Sequence, residues 1–155
     1  MTIQEIKNYR QVNDLLSLGG QPTEEQLKAI AREGFKIVIN LATINPRYSL
    51  EDEGASVRAV GMSYYHVPVE WTNPTEDDFE SFENILRQLG GEKTFIHCAA
   101  NFRATAFYGL YALKHLGWSE EQMNTLMAPV WDSSSYPIWD SFIDEMKATI
   151  KRDAI

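Results

Sequence analysis

Residues Lys93–Gly109 read KTFIHCAANFRATAFYG, and the rest of the chain is placed around them. Thr94-Phe95-Ile96 is a short β-branched and aromatic run leading into His97-Cys98. Ala99-Ala100-Asn101 is a small-residue loop, and Phe102-Arg103 opens a strongly helical segment. The order strand, cysteine, tight loop, arginine, helix builds an anion pocket with a nucleophile in its floor. Backbone N–H groups at a helix N-terminus point at a bound anion, and the helix dipole favours negative charge there. The same field favours a thiolate over a thiol. Arg103 adds a planar fork able to grip two oxygens of one anion.

Working outward, strands and helices alternate. Thr23-Glu24-Glu25-Gln26 is a capping box opening a helix to about Glu33, with Gly34 as its stop. Phe35–Leu41 is nearly continuous in apolar character, as a strand buried on both faces should be. Leu50–Val60 reads as a weaker helix and Ser63–Val69 as the next strand. Asn73-Pro74-Thr75 starts a helix that carries Phe79, Phe82, Ile85 and Leu86 inward. After the opening stretch, Ser119-Glu120-Glu121-Gln122 is a second capping box, and the tail 129–155 ends in an amphipathic helix from about Ile138 to Lys151. Residues 1–16 read as a short lead-in helix or strand. This alternation predicts a single α/β domain over 1–155, with a mainly parallel sheet of four or five strands and helices on both faces. In such sheets ligands sit beyond the carboxyl ends of the strands. Leu41, Glu70 and Cys98 fall at three such ends.

The composition narrows the function. Fourteen basic against 22 acidic residues give a net charge of −8, which argues against nucleic acid or an anionic membrane as partner. No apolar run approaches the ~20 residues of a membrane span. One cysteine excludes an internal disulfide and points to a reducing, cytoplasmic setting; a periplasmic protein whose signal peptide had been removed would look the same. His66, His97, His115 and Cys98 have no metal-ligand spacing, and no nucleotide fingerprint occurs, so neither metal nor cofactor is expected.

The stretch resembles the signature of cysteine-dependent dual-specificity phosphatases. More narrowly, the chain is similar to a bacterial dual-specificity-like group with members fused to NAD kinase or called β-lactamase-hydrolase-like. LGGQPTEEQLKAIAREGFKIVINL at 18–41, YYHVPVEWTNPTEDDF at 64–79, FIHCAANFRATAFYGLYAL at 95–113 and PVWDSSSYPIWDSFI at 129–143 carry the resemblance. It implies a phosphatase-like fold, a phosphorylated substrate or small oxyanion, and a cysteinyl-phosphate intermediate on Cys98. Arg103 and the amides of Ala99, Ala100, Asn101 and Phe102 would hold the oxygens. His97 would order the loop, and Thr105 would donate its hydroxyl to the thiolate. The group places an Asp after a VPV-like strand, and Glu70 stands in that place here; Asp77, Asp78 and Asp132 are the rivals.

The match departs at one point. The common signature has five residues between cysteine and arginine, with glycine third after the cysteine and Ser/Thr directly after the arginine. Here four residues separate Cys98 from Arg103. Counted from Cys98, Asn101 and Thr105 keep the common register and Arg103 does not. Either the loop is one residue shorter, or the arginine has moved back one position. That step swings a helical side chain by about 100°. Four-residue spacing also resembles rhodanese-type sulfurtransferases, so a Cys98 persulfide is an alternative. A non-catalytic oxyanion-binding module is the other.

Overall fold

The computed structural model describes residues 2–154. Its central strand, β5 (Thr94–His97), lies between β2 (Leu16–Gly19) and β3 (Ile37–Asn40), and β4 (Ser63–His66) lies outside β3. These four are parallel. β1 (Arg10–Asn13) pairs antiparallel on β2, so the order is β1-β2-β5-β3-β4. The expected lead-in segment is therefore a 3-10 turn, Ile3–Glu5, followed by an edge strand.

Among the described residues six helices cover the sheet: α1 (Glu24–Arg32), α2 (Glu53–Ala59), α3 (Glu76–Gln88), α4 (Phe102–His115), α5 (Glu120–Met127) and α6 (Pro137–Asp153). Side chains alternate across a strand, and the two faces fill different cores. Leu16, Leu18, Ile37, Ile39 and Ile96 pack with residues of α3 to α6. Val38 and Phe95 pack with Leu27, Ile30 and Val57 of α1 and α2. The first core is the larger, and α4 runs through it with both its polar-looking and apolar faces buried. Helices thus lie on both faces of a mainly parallel sheet, as the alternation predicts.

Both predicted capping boxes close as read: Thr23 accepts from the Gln26 amide and Ser119 from the Gln122 amide. Gly34 ends α1 at φ +91°, where a β-carbon would strain the backbone. Three elements are shorter than predicted, β3 among them, which spans Ile37–Asn40 rather than Phe35–Leu41. α2 begins only at Glu53, because the Asp52 side chain caps it by accepting from the Ala55 amide. β4 ends at His66 rather than Val69, because Pro68 has no N–H to continue the ladder. Val67 and Val69 still donate to the Asn40 and Leu41 carbonyls, each at 2.9 Å. That brings Glu70 to the carboxyl edge of the sheet, where β5 delivers Cys98. No helix among the described residues is long and apolar enough to cross a membrane.

Candidate active site

Strand alternation sets the first two side chains. Ile96 and Cys98 face the α3–α6 core, so Phe95 and His97 face α1 and α2. His97 is fully buried, stacked on Phe95, and meets the Glu53 carboxylate of α2 at 2.6 Å through Nε2. Its Nδ1 lies 3.0 Å from the Cys98 carbonyl. The second Glu53 oxygen accepts from Gln21 Nε2 at 2.6 Å. Burial works against the Glu53 carboxylate, but the charge and hydrogen bond of His97, with Gln21 adding to them, hold its pKa below the ordinary 4.5.

The loop after Cys98 is held by its carbonyls. The Cys98 carbonyl faces His97, the Ala99 carbonyl accepts from the Gln21 amide at 3.0 Å, and the Ala100 carbonyl accepts from Asn8 Nδ2 at 2.9 Å. A trans peptide sets each carbonyl opposite the next residue's N–H, and no cis bond occurs among the described residues. Drawing the carbonyls of Cys98, Ala99 and Ala100 outward therefore turns the amides of Ala99, Ala100 and Asn101 inward. Asn101 then takes the left-handed conformation, φ 71° and ψ 4°, as the N-cap of α4. Asn adopts that conformation more readily than most residues. Its Nδ2 donates back to the Asn8 carbonyl at 2.7 Å. The first amides of α4, those of Phe102 and Arg103, have no intrahelical acceptor and point along the axis toward the loop. Cys98 itself is 1% exposed.

Arg103 is no surface residue. It is 5% exposed, and its Nη1 donates to the Val69 carbonyl at 2.8 Å. Among the described residues no carboxylate lies within 4 Å of its guanidinium. On the other side of Glu70, Trp139 Nε1 of α6 donates to the Trp71 carbonyl at 2.8 Å, with the two indoles stacked 5.4 Å apart. Glu70 is thereby bracketed by two carbonyls that buried donors hold, while its own side chain is exposed. The rival acids are otherwise engaged or remote: Asp78 closes the capping box of α3 with Thr75, Asp132 accepts from Ser134, and Asp77 is exposed in the first turn of α3.

Thr105 is committed elsewhere than to the thiol. Its hydroxyl hydrogen is shared between the Asn101 and Phe102 carbonyls, at 2.8 and 3.0 Å, and its oxygen accepts from Trp131 Nε1 at 3.0 Å. This hydroxyl therefore fastens the loop to the first turn of α4 and to the tail. The Phe102 ring stacks on Trp131, with centroids 4.8 Å apart and planes 9° from parallel, so Phe102 offers the pocket its amide while its ring packs.

Sequence reasoning missed Glu53, Gln21, Asn8 and Trp139. Glu53 left one signal, an acid placed where a helix meets the sheet face that His97 must occupy. Asn8 left another, being an Asn before a strand and here at φ 53°.

Comparison with known proteins gives the family and the fold of the chain. A family model described as "DSP-PTPase phosphatase fused to NAD+ Kinase" matches residues 3–138. A β-lactamase hydrolase-like protein of Xylella fastidiosa (strain Temecula1) is 32% identical over 102 residues, 64% of this chain and 23% of that one. The chain thus spans about a quarter of the length of the curated relatives it matches. A DUF442 protein of Shewanella putrefaciens CN-32 superposes with a TM-score of 0.87 at 34% identity, covering 96% of each chain. TpbA of P. aeruginosa, solved in complex with phosphotyrosine, has a TM-score of 0.71 at 14% identity over 93% of this chain and 90% of that one, a likeness of fold.

Proposed function

The chain belongs to the family of DSP-PTPase phosphatases fused to NAD+ kinase, and on that premise we propose that it hydrolyses a phosphate monoester through a cysteinyl-phosphate on Cys98. The observation that carries this reading is the loop from Cys98 to Arg103: His97, Gln21 and Asn8 engage the carbonyls of Cys98, Ala99 and Ala100, which leaves the loop amides for a tetrahedral anion. A buried guanidinium with one neutral acceptor and no carboxylate is costly. A phosphoryl group offers the missing charge, and Arg103 provides four further N–H donors for it.

In the first step Cys98 Sγ attacks phosphorus, and the bond from phosphorus to the leaving oxygen breaks. The amides of Ala99, Ala100, Asn101, Phe102 and Arg103, with the guanidinium, stabilise the equatorial oxygens. Glu70, as the acid, gives its proton to the leaving oxygen. In the second step Glu70, now a carboxylate, takes a proton from water. That water attacks phosphorus and the S–P bond breaks, which returns the thiolate and releases inorganic phosphate. His97 and Thr105 act on loop geometry, and Asn101 supplies its left-handed corner. The bracketed Val69–Trp71 segment supports Glu70 over Asp77, Asp78 and Asp132 as the acid.

Purified protein should release p-nitrophenol from p-nitrophenyl phosphate, and Cys98→Ser should abolish it. Equal inertness of the two proteins toward p-nitrophenyl phosphate, phosphotyrosine and nucleotides refutes the reading. The four-residue spacing favours one second reading, sulfur transfer. With thiosulfate and cyanide it would yield thiocyanate and add the mass of one sulfur to Cys98, and it falls if no mass is gained.

A further inference from the structure

We propose that Glu53 is a positioning residue of this site, which keeps His97 as an imidazolium directly behind the Cys98 peptide. The proposal deepens the phosphatase reading and rests on it for its use in catalysis. The hydrogen-bond inventory leads to it. Both ring nitrogens of His97 face acceptors: Nδ1 the Cys98 carbonyl at 3.0 Å and Nε2 the Glu53 carboxylate at 2.6 Å. A neutral imidazole carries one N–H and can serve one of them; an imidazolium serves both. A fully buried ring and a carboxylate with 6% side-chain exposure leave no water to take the other role. Gln21 then holds the far oxygen of Glu53, which favours the ionised carboxylate.

The consequence lies at the thiol. The pair is a dipole whose positive end is one peptide from Cys98 Sγ and whose negative end points away into α2. A cation beside a cysteine favours its thiolate. The amide that follows the Cys98 carbonyl is also polarised, which sharpens one donor to the anion. Other groups facing the pair are few. His66 and Tyr64 of β4, with Glu51, the N-cap Asp52 and Arg58 of α2, border a cavity of about 280 Å³ behind Glu53. Tyr64 stays protonated, because burial and then the Glu53 charge push its pKa up to about 12. On the pocket side stand Arg103 from α4 and Glu70 at the sheet edge. The loop preceding α1 contributes Gln21, which is uncharged, and β2 and β3 present Gly19 and Asn40 in register with His97.

Glu53→Gln separates charge from geometry. A glutamine amide can donate to Nε2 of a neutral His97, which keeps Nδ1–H on the Cys98 carbonyl, so the ring stays in place and only the charge goes. Cys98 is the chain's single cysteine, so thiolate absorbance near 240 nm, read against Cys98→Ser, follows it alone. The Cys98 titration should move up by about one pH unit in Glu53→Gln, and the acid limb of kcat/KM for p-nitrophenyl phosphate should move with it. Nitrogen-15 shifts should show both ring nitrogens of His97 protonated at pH 7 in the wild type and one in the variant. His97→Gln, neutral at every pH, should raise the titration at least as far, and adding Glu53→Gln to it should change nothing more. An unmoved titration in Glu53→Gln, or in His97→Gln where the first does not fold, overturns the proposal. A thiol shift without turnover of any phosphate would leave the His97–Glu53 assignment standing and sink the phosphatase reading instead.

Discussion

Thr105→Val is the sharpest stability test of the loop. The substitution keeps shape and branching and removes one hydroxyl. In the fold that hydroxyl is fully buried, donates to the Asn101 and Phe102 carbonyls, and accepts from the Trp131 indole. The Asn101 carbonyl keeps the Thr105 amide as a donor, at 3.1 Å, so it is not orphaned. The indole N–H of Trp131, a residue 6% exposed, loses the one acceptor it has among the described residues. A lost hydrogen bond costs about 1 kcal/mol, and an unsatisfied buried donor about 1–3 kcal/mol. The extra methyl returns about 0.8 kcal/mol of burial. The expected net loss is about 1–3 kcal/mol, which for a chain of this length lowers Tm by roughly 3–10 °C. Urea unfolding followed by tryptophan fluorescence measures it as a fall in midpoint at unchanged slope. A change below about 0.5 kcal/mol would refute the view that this hydroxyl fastens the tail to the loop. Thr105→Ser is the control, since it keeps the hydroxyl and should retain most of the indole bond.

Four other outcomes follow from the same contacts. Gly20→Ala would put a β-carbon 2.7 Å from the Ala99 carbonyl oxygen and 3.1 Å from that of Lys7. It should displace the loop and cut any Cys98-dependent turnover at least tenfold, while circular dichroism stays near wild type. Arg103→Lys keeps a charge but not the fork, so sulfate should raise Tm in the wild type and much less in the variant; equal stabilisation of the two by sulfate would count against Arg103 as an anion ligand. Glu70→Gln should slow turnover of a poor leaving group far more than that of p-nitrophenolate, and equal slowing of both would point away from an acid role. Because the folded-state pKa of Glu53 is depressed, its stabilisation is full above the unfolded carboxylate value and is lost as pH falls from about 4.5 through the folded value. Unfolding free energies of wild type and Glu53→Gln should therefore converge across that acid window, and parallel curves would contradict the linkage.

Side-chain period made much of this molecule legible from its residues, and where period stops the reading stops too. Phe35–Leu41 and Thr94–His97 declare themselves as buried strands because their pattern depends on near neighbours alone. The capping boxes at Thr23 and Ser119 do so because three-residue spacing is local chemistry. The order strand, cysteine, loop, arginine, helix belongs to this legible set, because β5, the loop and α4 follow one another directly in the chain. Glu53, Asn8 and Trp139 do not, since each acts across the fold: Glu53 is 44 residues from His97, Asn8 is 92 from Ala100, and Trp139 is 68 from Trp71. No local pattern ties such pairs together.

One of the three was nevertheless within reach of elementary reasoning. In a parallel strand Cys98 must face α4 if α4 is to begin above it, so His97 must face the opposite layer, which α1 and α2 supply. A buried histidine there needs polar partners. α2 carries two acids at its start, of which Asp52 is spent as its cap; only Glu53 is left to turn inward toward the ring. The displaced arginine yields to similar logic. A side chain one residue nearer the helix start reaches back over the carboxyl edge of the sheet, and the carbonyl it meets is that of Val69, next to Glu70. The shorter spacing therefore couples the proposed anion ligand to the segment bearing the candidate acid. Arg103→Ala should accordingly loosen residues 69–71 as well as weaken oxyanion binding, seen as faster amide exchange at Glu70 and Trp71. Unchanged exchange there would show that Trp139 holds the segment alone.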